Sequence, residues 1–433
     1  MGRRRSYTPL NIFMNSRLVG QLMRESTGAV SFVYERSWLQ WENTLPVSLG
    51  LALREDRYVG EPVIAVFENL LPDNEQIRLR VAQKVGAHGT DAYNLLSAIG
   101  RDCVGALQFL PDGEEPQPLD RLDGKELSDT QVAAILKDLS MTPLGIRREN
   151  GFRISIAGAQ EKTALLFCNG CWIEPTGTTP TTHIIKPQIG RLPNGVDLRN
   201  SVENEYLCLK FMNNFGLRVA KAEIVTFDDQ KALVIERFDR HWTKDRRLLR
   251  LHQEDCCQTL LVPPTRKYQN DGGPGIVEIM NMLQGSDEPT QDRLNFFKTT
   301  ILFWLMGATD GHAKNFSVRL LPRGRFRMTP LYDILTVQPM VDAQQIKRKD
   351  FRLAMRMGLS NHYRVGDIVG RHILETGLAS GLSREVVLQI FDEIHAQANK
   401  AIEKTINELP DGFPMTILGS MAAAMIKRLS RLK

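Results

Sequence analysis

The chain has 433 residues, 42% of them hydrophobic, so it can bury a sizeable core and is too long for one ordinary domain. Fifty-five Lys and Arg against 50 Asp and Glu leave a net charge of +5, which permits an anionic ligand or nucleic acid without demanding either. No apolar run approaches the roughly 18 residues of a membrane span, the N-terminus MGRRRSYTPL lacks the apolar stretch of a secretion signal, and six cysteines suit a reduced cytoplasm with no membrane partner.

Residues 8–50 alternate apolar and polar in the runs LNIFMN, RLVGQLM, AVSFVY and PVSLGLAL, separated by turn residues, which predicts a small antiparallel sheet. DNEQIRLRVAQKVG has helical spacing with Asp73 as its cap and Gly86 as its stop, and DAYNLLSAIG repeats the arrangement. The polar, turn-rich stretch Leu110–Glu126 reads as a linker. Beyond it FRISIAG, KTALLFC, CWIEP and THIIKPQI read as strands. Asn169-Gly170 inside CNGC predicts a type I′ hairpin turn, which makes Cys168 and Cys171 a cross-strand pair rather than half a zinc site. Asn200–Gly216 reads as an amphipathic helix, with Asn200 and Glu203 as a capping box and Gly216 as its C-cap. AEIVTF and KALVIERF form a hairpin across DDQ. After Asp239 the pattern is mainly helical, broken by a hairpin at Pro322-Arg323-Gly324. Cys256 and Cys257 are expected as core and surface neighbours. The fold class is α+β: an N-terminal β-rich subdomain over 1–125, a β-rich lobe over 126–240 and a helical lobe over 241–433.

The chemistry concentrates in ILFWLMGATDGHAKNFSV, where a buried helix delivers Asp310, His312, Lys314 and Asn315 to one tight loop. Asp310 and Asn315 are five apart, and Asp333 follows after a hairpin. Two carboxylates and a carboxamide so placed suit Mg²⁺ with nucleotide phosphates, because Mg²⁺ takes few protein oxygens and draws the rest from phosphate and water. Asp310 is then free to accept a hydroxyl proton while Asn315 and Asp333 hold metal, the D-x4-N pattern of protein kinases. Taken alone, D-x4-N is more often a solvated loop with a capping Asp.

Upstream, Lys186 ends a strand and Glu205 follows on a helix, a lysine–glutamate pair suited to α and β phosphates. Glu236, Arg237 and Phe238 would form the adenine hinge, through backbone groups. SIAGAQEKT (Ser155–Thr163) would be the phosphate loop, its small residues admitting backbone N–H groups to phosphate. It is not G-x-G-x-x-G, and Glu161 before Lys162 breaks the Walker pattern, so a P-loop NTPase is disfavoured. HQEDCCQ (His252–Gln258) either shapes the acceptor site or caps a helix, and DGGPGI (Asp271–Ile276) reads as a flexible loop.

Together RISIAGAQEKTALL, THIIKPQI, SVENEY, VIERFDR, RLHQEDCCQ, GGPGI, GATDGHAKNFSV and PLYDI, with FENLLPDN and LLSAIGRDCVGAL upstream, resemble the HipA family of bacterial serine/threonine kinase toxins across nearly the whole chain. The resemblance implies a two-lobed protein-kinase-like fold using ATP and Mg²⁺. It implies Asp310 as catalytic base and Asn315 and Asp333 as Mg²⁺ ligands. His312, Ala313, Lys314, Asn315 and Tyr332 would line the nucleotide, Lys186 would contact phosphate, and Glu236, Arg237 and Phe238 would bind adenine. Ala157, Gly158, Ala159, Gln160, Glu161 and Lys162 would form the phosphate loop. Ser155 matches the family's autophosphorylated serine. The implied acceptor is a serine of glutamyl-tRNA synthetase, and the implied partners are a HipB-type helix-turn-helix antitoxin and, through that complex, operator DNA at the nucleoid. The basic tail MIKRLSRLK reads as a solvated helix end before it reads as a DNA contact. The readings set against the toxin are a small-molecule kinase of the aminoglycoside or lipid type, and a DNA-bound co-repressor with a scaffold role.

Overall fold

The computed structural model describes residues 7–139, 144, 154–158 and 160–432. They fall into two compact units, the first built from Met1–Pro187, Val225–Thr265 and Val318–Phe326, the second from Gln188–Ile224, Arg266–Ser317 and Arg327–Lys433.

The first unit opens with a five-stranded antiparallel sheet in the order Tyr58–Val59, Val30–Tyr34, Arg17–Arg24, Leu10–Met14, Leu107–Pro111. Alternation along Leu10–Met14 puts Leu10, Ile12 and Met14 on one face, where they join Leu22, Phe32 and Phe109 in a core closed by Val63, Val66, Phe67, Leu95, Leu96 and Ile99 from helices Glu61–Glu68 and Ala92–Ile99. Helix Glu75–Val85 is capped by Asn74, one residue beyond the expected Asp73, through bonds from the Gln76 and Ile77 N–H groups. The run PVSLGLAL is not a strand. Its polar backbone is satisfied by side chains instead: the Val47 N–H donates to the Tyr34 hydroxyl at 2.9 Å, that hydroxyl donates to the Leu51 carbonyl, and the Leu49 N–H donates to Glu254 at 2.8 Å.

A six-stranded sheet runs Ala222–Phe227, Gln230–Glu236, His183–Pro187, Thr163–Cys168, Cys171–Pro175, Gly124–Leu127. Helix Asp129–Lys137 lays Val132, Ala133 and Leu136 on its Leu165, Ile185, Ala232 and Val234 face. Cys168 and Cys171 pair across the turn, with Asn169 at φ 51° and Gly170 at φ 81°, the left-handed conformations a type I′ turn needs. Leu110–Glu126 runs from the first sheet to the second within one compact unit. Pro111 ends a strand of the first sheet, Gly124 starts one of the second, and the first sheet's core continues into Leu144, Ile154, Ile156 and Ala164. The expected boundary at 125 is therefore inside one compact unit. Strand Ile154–Ser155 explains why, since it pairs in parallel with Asp102–Cys103 and belongs to neither large sheet.

The second unit is mainly helical, with Ser201–Asn214, Pro289–Met306, Gly370–Ala379, Arg384–Glu408 and Met415–Leu429 as its long helices. Pro289 starts the central helix and Gly307, at φ 74°, ends it. The expected Asn200 capping box is not formed. Asn200 makes no side-chain cap, and Glu203 accepts instead from the Gln188 amide at 2.6 Å. The region after Asp239 holds more strand than expected: hairpins pair Arg240–Trp242 with Leu248–Arg250 and Arg352–Met357 with His362–Arg364, and Gln253–Asp255 joins the Ser317–Leu321 and Arg325–Met328 hairpin. Cys256 and Cys257 are both buried, because Asp255 caps the short helix Cys256–Thr259 and turns both into the core. No helix among the described residues is long and apolar enough to cross a membrane.

Candidate active site

In the first unit, the segment around Ser155–Lys162 closes on itself. Ser155 is fully buried and its hydroxyl donates to the Leu70 carbonyl at 2.7 Å. The Asp73 N–H reaches the Gly158 carbonyl at 3.3 Å, so Leu70–Asp73 forms a dock for the loop. Gly158, at φ 113°, leaves room for the Lys162 ammonium, which would lie 2.3 Å from any Cβ there and donates to the Ala157 carbonyl at 2.6 Å. Glu161 pairs with Arg80 at 2.7 Å, and the Gln160 amide donates to the Pro187 carbonyl at 3.2 Å. Ala159 and Arg153 lie outside the described residues. Lys186 is buried in the central strand His183–Pro187, opposite Leu233.

Glu236 is exposed and Phe238 half-buried, but Arg237 is buried, its N–H donating to the Thr182 carbonyl at 2.8 Å. Its guanidinium bonds Asp239 at 2.8 Å and Asp102 at 3.2 Å. Arg240 and Arg250 also pair with Asp102, at 2.8 and 2.9 Å. The Arg237 side chain is thus spent on a buried ion network, and a hinge contact there falls to backbone groups alone. Burial works to raise the Asp102 pKa, but Arg240, Arg250 and Arg237 outweigh it and hold the carboxylate well below its usual range. Burial, reinforced by repulsion from Arg237, lowers the Arg240 pKa to about 10.

In the second unit, Gly307–Ser317 leads from the central helix to a strand. The His312 N–H donates to the Asp310 carbonyl at 2.8 Å, the Asn315 N–H to the His312 carbonyl at 2.9 Å, and the Asn315 amide to the Asp310 carbonyl at 2.7 Å. The loop is so tight that a Cβ on Gly311 would lie 2.4 Å from the Phe303 ring. His312, Ala313, Lys314 and Asn315 are buried, whereas the Asp310 side chain is 64% exposed. Asp310 is thus presented by a loop whose other members are packed. The Tyr332 hydroxyl donates to the Lys314 carbonyl at 2.9 Å and also bonds Ser317, which ties the PLYDI segment to this loop. Asp333 is half-buried with φ 58°, a conformation rare for a residue with a Cβ.

These residues fit Mg²⁺. With its nitrogen committed to Asp310, Asn315 has its amide oxygen for a cation, and Asp333 adds a carboxylate. Mg²⁺ needs no protein cage, because it draws most of its ligands from phosphate and water.

The sequence model described as the HipA-like C-terminal domain matches residues 154–402, and that of the HipA N-terminal domain matches residues 10–110. The chain belongs to the HipA family. It is 33% identical over 402 residues to a putative kinase, Y4mE, of Sinorhizobium fredii, covering 92% of each chain. It is 25% identical over 414 residues to the serine/threonine-protein kinase toxin HipA of Shewanella oneidensis, covering 93% of this chain and 90% of that one. The solved complex of Shewanella HipA with HipB and operator DNA contains a chain of the same fold, with a TM-score of 0.80, 24% identity, and coverage of 98% of this chain and 97% of that one. The protein is therefore a kinase of the HipA toxin family, with a mixed α/β kinase-like fold. Three features of its site were not legible in the sequence: the Leu70–Asp73 dock, the Asp102 network and the contact that Tyr268 makes with Asp310. FENLLPDN, quoted for the family likeness, was the available sign of the first; nothing local marked the others.

Proposed function

We propose that this HipA-family kinase uses ATP and Mg²⁺ to phosphorylate a serine on a protein of the translation machinery, glutamyl-tRNA synthetase by family resemblance, and that this makes it a toxin. The observation that carries the reading is the catalytic loop: an exposed carboxylate, Asp310, on a backbone pinned by Asn315. Asp310 accepts the proton of the acceptor hydroxyl as that oxygen bonds the γ-phosphorus and the bond to the β–γ bridging oxygen breaks, releasing ADP. Asn315 and Asp333 would hold Mg²⁺, which when bound neutralises charge on the phosphates. Lys186, Ala157, Gly158 and Lys162 serve the phosphates, and Glu236 and Phe238 the adenine.

The proposed partners follow the Shewanella complex: a HipB-type antitoxin that restrains the kinase and carries it to operator DNA, where the pair represses its own operon. Autophosphorylation at Ser155 is the proposed off-switch. Its hydroxyl is buried against Leu70, so strand Ile154–Ser155 must first part from Asp102–Cys103. A phosphoserine of roughly −1.5 to −2 charge could not return to that site, and the phosphate loop would stay open. Incubating the purified protein with labelled ATP, Mg²⁺ and a bacterial lysate tests the reading. Label in one lysate protein besides the kinase itself, retained as phosphoserine, is expected. Label confined to small molecules identifies an aminoglycoside- or lipid-type kinase, and no label identifies a scaffold.

A further inference from the structure

The segment Arg266–Ile276, RKYQNDGGPGI, belongs to the second unit and has no part in the chemistry above. Its part Asp271–Ile276 reads from the sequence as a flexible loop, yet the segment is tightly folded. The Asp271 and Gly273 N–H groups both donate to the Tyr268 carbonyl at 3.0 Å. A Cβ on Gly273 would lie 2.0 Å from the Arg266 carbonyl oxygen, and one on Gly275 would lie 2.0 Å from the Gln269 amide nitrogen. The glycines thus permit a closure that fixes Tyr268 and Gln269.

Both residues reach the catalytic loop or its support. The Tyr268 hydroxyl donates to Asp310 Oδ1 at 2.7 Å, and its ring meets His312 edge-on at 5.0 Å. The Gln269 side-chain oxygen accepts from the Arg356 N–H at 2.8 Å, on strand Arg352–Met357. From that strand the Ala354 N–H donates to the carbonyl of Thr309, the residue before Asp310, at 2.9 Å. Loop and strand therefore grip the catalytic loop at adjacent residues and also grip each other.

We propose that Tyr268 is a positioning residue for the catalytic base, fixing the Asp310 carboxylate through Oδ1 and leaving Oδ2, which lies 4.0 Å from His312 Nε2, to the acceptor hydroxyl. This rests on Asp310 being the base. An exposed carboxylate turns freely about its last torsion, which has broad wells. A hydroxyl donor held by a braced loop removes that freedom, and the short bond is of the stronger, charge-assisted kind. The opposite role, a phenol plugging the place of the acceptor hydroxyl, requires Tyr268 to withdraw for each turnover. The glycine-set closure and the Gln269 anchor oppose that movement.

The test uses the full-length protein with Mg·ATP and lysate protein as acceptor, and compares Tyr268→Phe with Asp310→Asn. For Tyr268→Phe, kcat is expected to fall about 10- to 100-fold, with KM for ATP within about twofold and thermal unfolding unchanged. Placed in the Asp310→Asn background, the same change should add no further loss, because the two act as one unit. Gln269→Ala, which keeps the phenol but cuts the anchor, should lose kcat by a smaller factor. A wild-type kcat for Tyr268→Phe while Asp310→Asn is inactive overturns the Tyr268 role and leaves the base intact. A faster Tyr268→Phe enzyme with a lower KM for acceptor shows a plug and overturns it equally. An active Asp310→Asn protein removes the base itself.

Discussion

Around Ser155–Lys162 the polar groups turn inward: a serine hydroxyl spent on Leu70, a lysine ammonium on Ala157, a glutamate on Arg80. Around Asp310 a single carboxylate turns outward, because Asn315, Tyr268 and the Ala354 N–H hold a loop whose other polar members are buried. The proposed phosphate loop satisfies its own groups, and to bind a ligand it must exchange those bonds for bonds to that ligand. The catalytic region is preorganised, and its bonds need not change when the reaction occurs. Changes in the first region should therefore alter affinity and stability, and changes in the second should alter rate.

The largest effect expected in the first region comes from Asp102→Asn. Three arginines lose their shared carboxylate in a buried network, and breaking such a pair typically costs about 3–5 kcal/mol. Urea unfolding should show that loss, together with weaker ATP binding, since Arg237 adjoins the hinge. A variant as stable as the wild type would show that Arg237, Arg240 and Arg250 are satisfied without Asp102.

A pH experiment separates one buried group of this region from its neighbour. Burial raises the Glu254 pKa from 4.5 to about 7, so the native state favours its neutral form. Its contribution to stability is then full below pH 4.5 and is lost as pH rises to about 7, a penalty of a few kcal/mol at most. Burial lowers the His252 pKa from 6.5 to about 4, so its contribution is full above pH 6.5 and is lost as pH falls. The two slopes oppose each other between pH 4.5 and 6.5. Glu254→Gln should remove the first and leave stability rising with pH across that window. An unchanged pH–stability curve would contradict the assignment of Glu254.

Asp333→Ala sharpens the comparison by removing a proposed metal ligand. Mg·ATP affinity should fall about tenfold, and affinity for metal-free ATP should hold or improve, because a negative charge near the phosphates is gone. Isothermal titration with and without Mg²⁺ reads both. Equal losses would deny Asp333 a metal role.

The sequence made the second region more legible than the first, for a physical reason. The chemistry proposed for Asp310, Asn315 and Asp333 lies in side chains at short spacing on one helix-loop-hairpin run, so residue types and intervals suggest it. The Ser155–Lys162 loop depends on contacts with Leu70–Asp73, about 85 residues away, and the fate of Arg237 depends on Asp102, about 135 residues away. No local pattern encodes such pairs, so neither the Leu70–Asp73 contacts nor the burial of the Arg237 side chain could be read from the sequence. DGGPGI read as flexible because glycine commonly marks freedom. Here Gly273 and Gly275 are needed because neighbouring atoms leave no room for a side chain. PVSLGLAL alternated like a strand, but Tyr34 and Glu254 supplied its backbone partners.

The division of labour is tested most directly by measuring nucleotide affinity and phosphoryl transfer side by side in Asp310→Asn. The carboxamide cannot take the acceptor proton, and base catalysis is typically worth about 10²–10⁴ in rate. Mg·ATP affinity within about twofold of wild type, transfer lower by that factor, and no growth arrest on overexpression are expected. Transfer within about tenfold of wild type, or nucleotide affinity lost in step with transfer, would contradict an Asp310 that acts on rate alone.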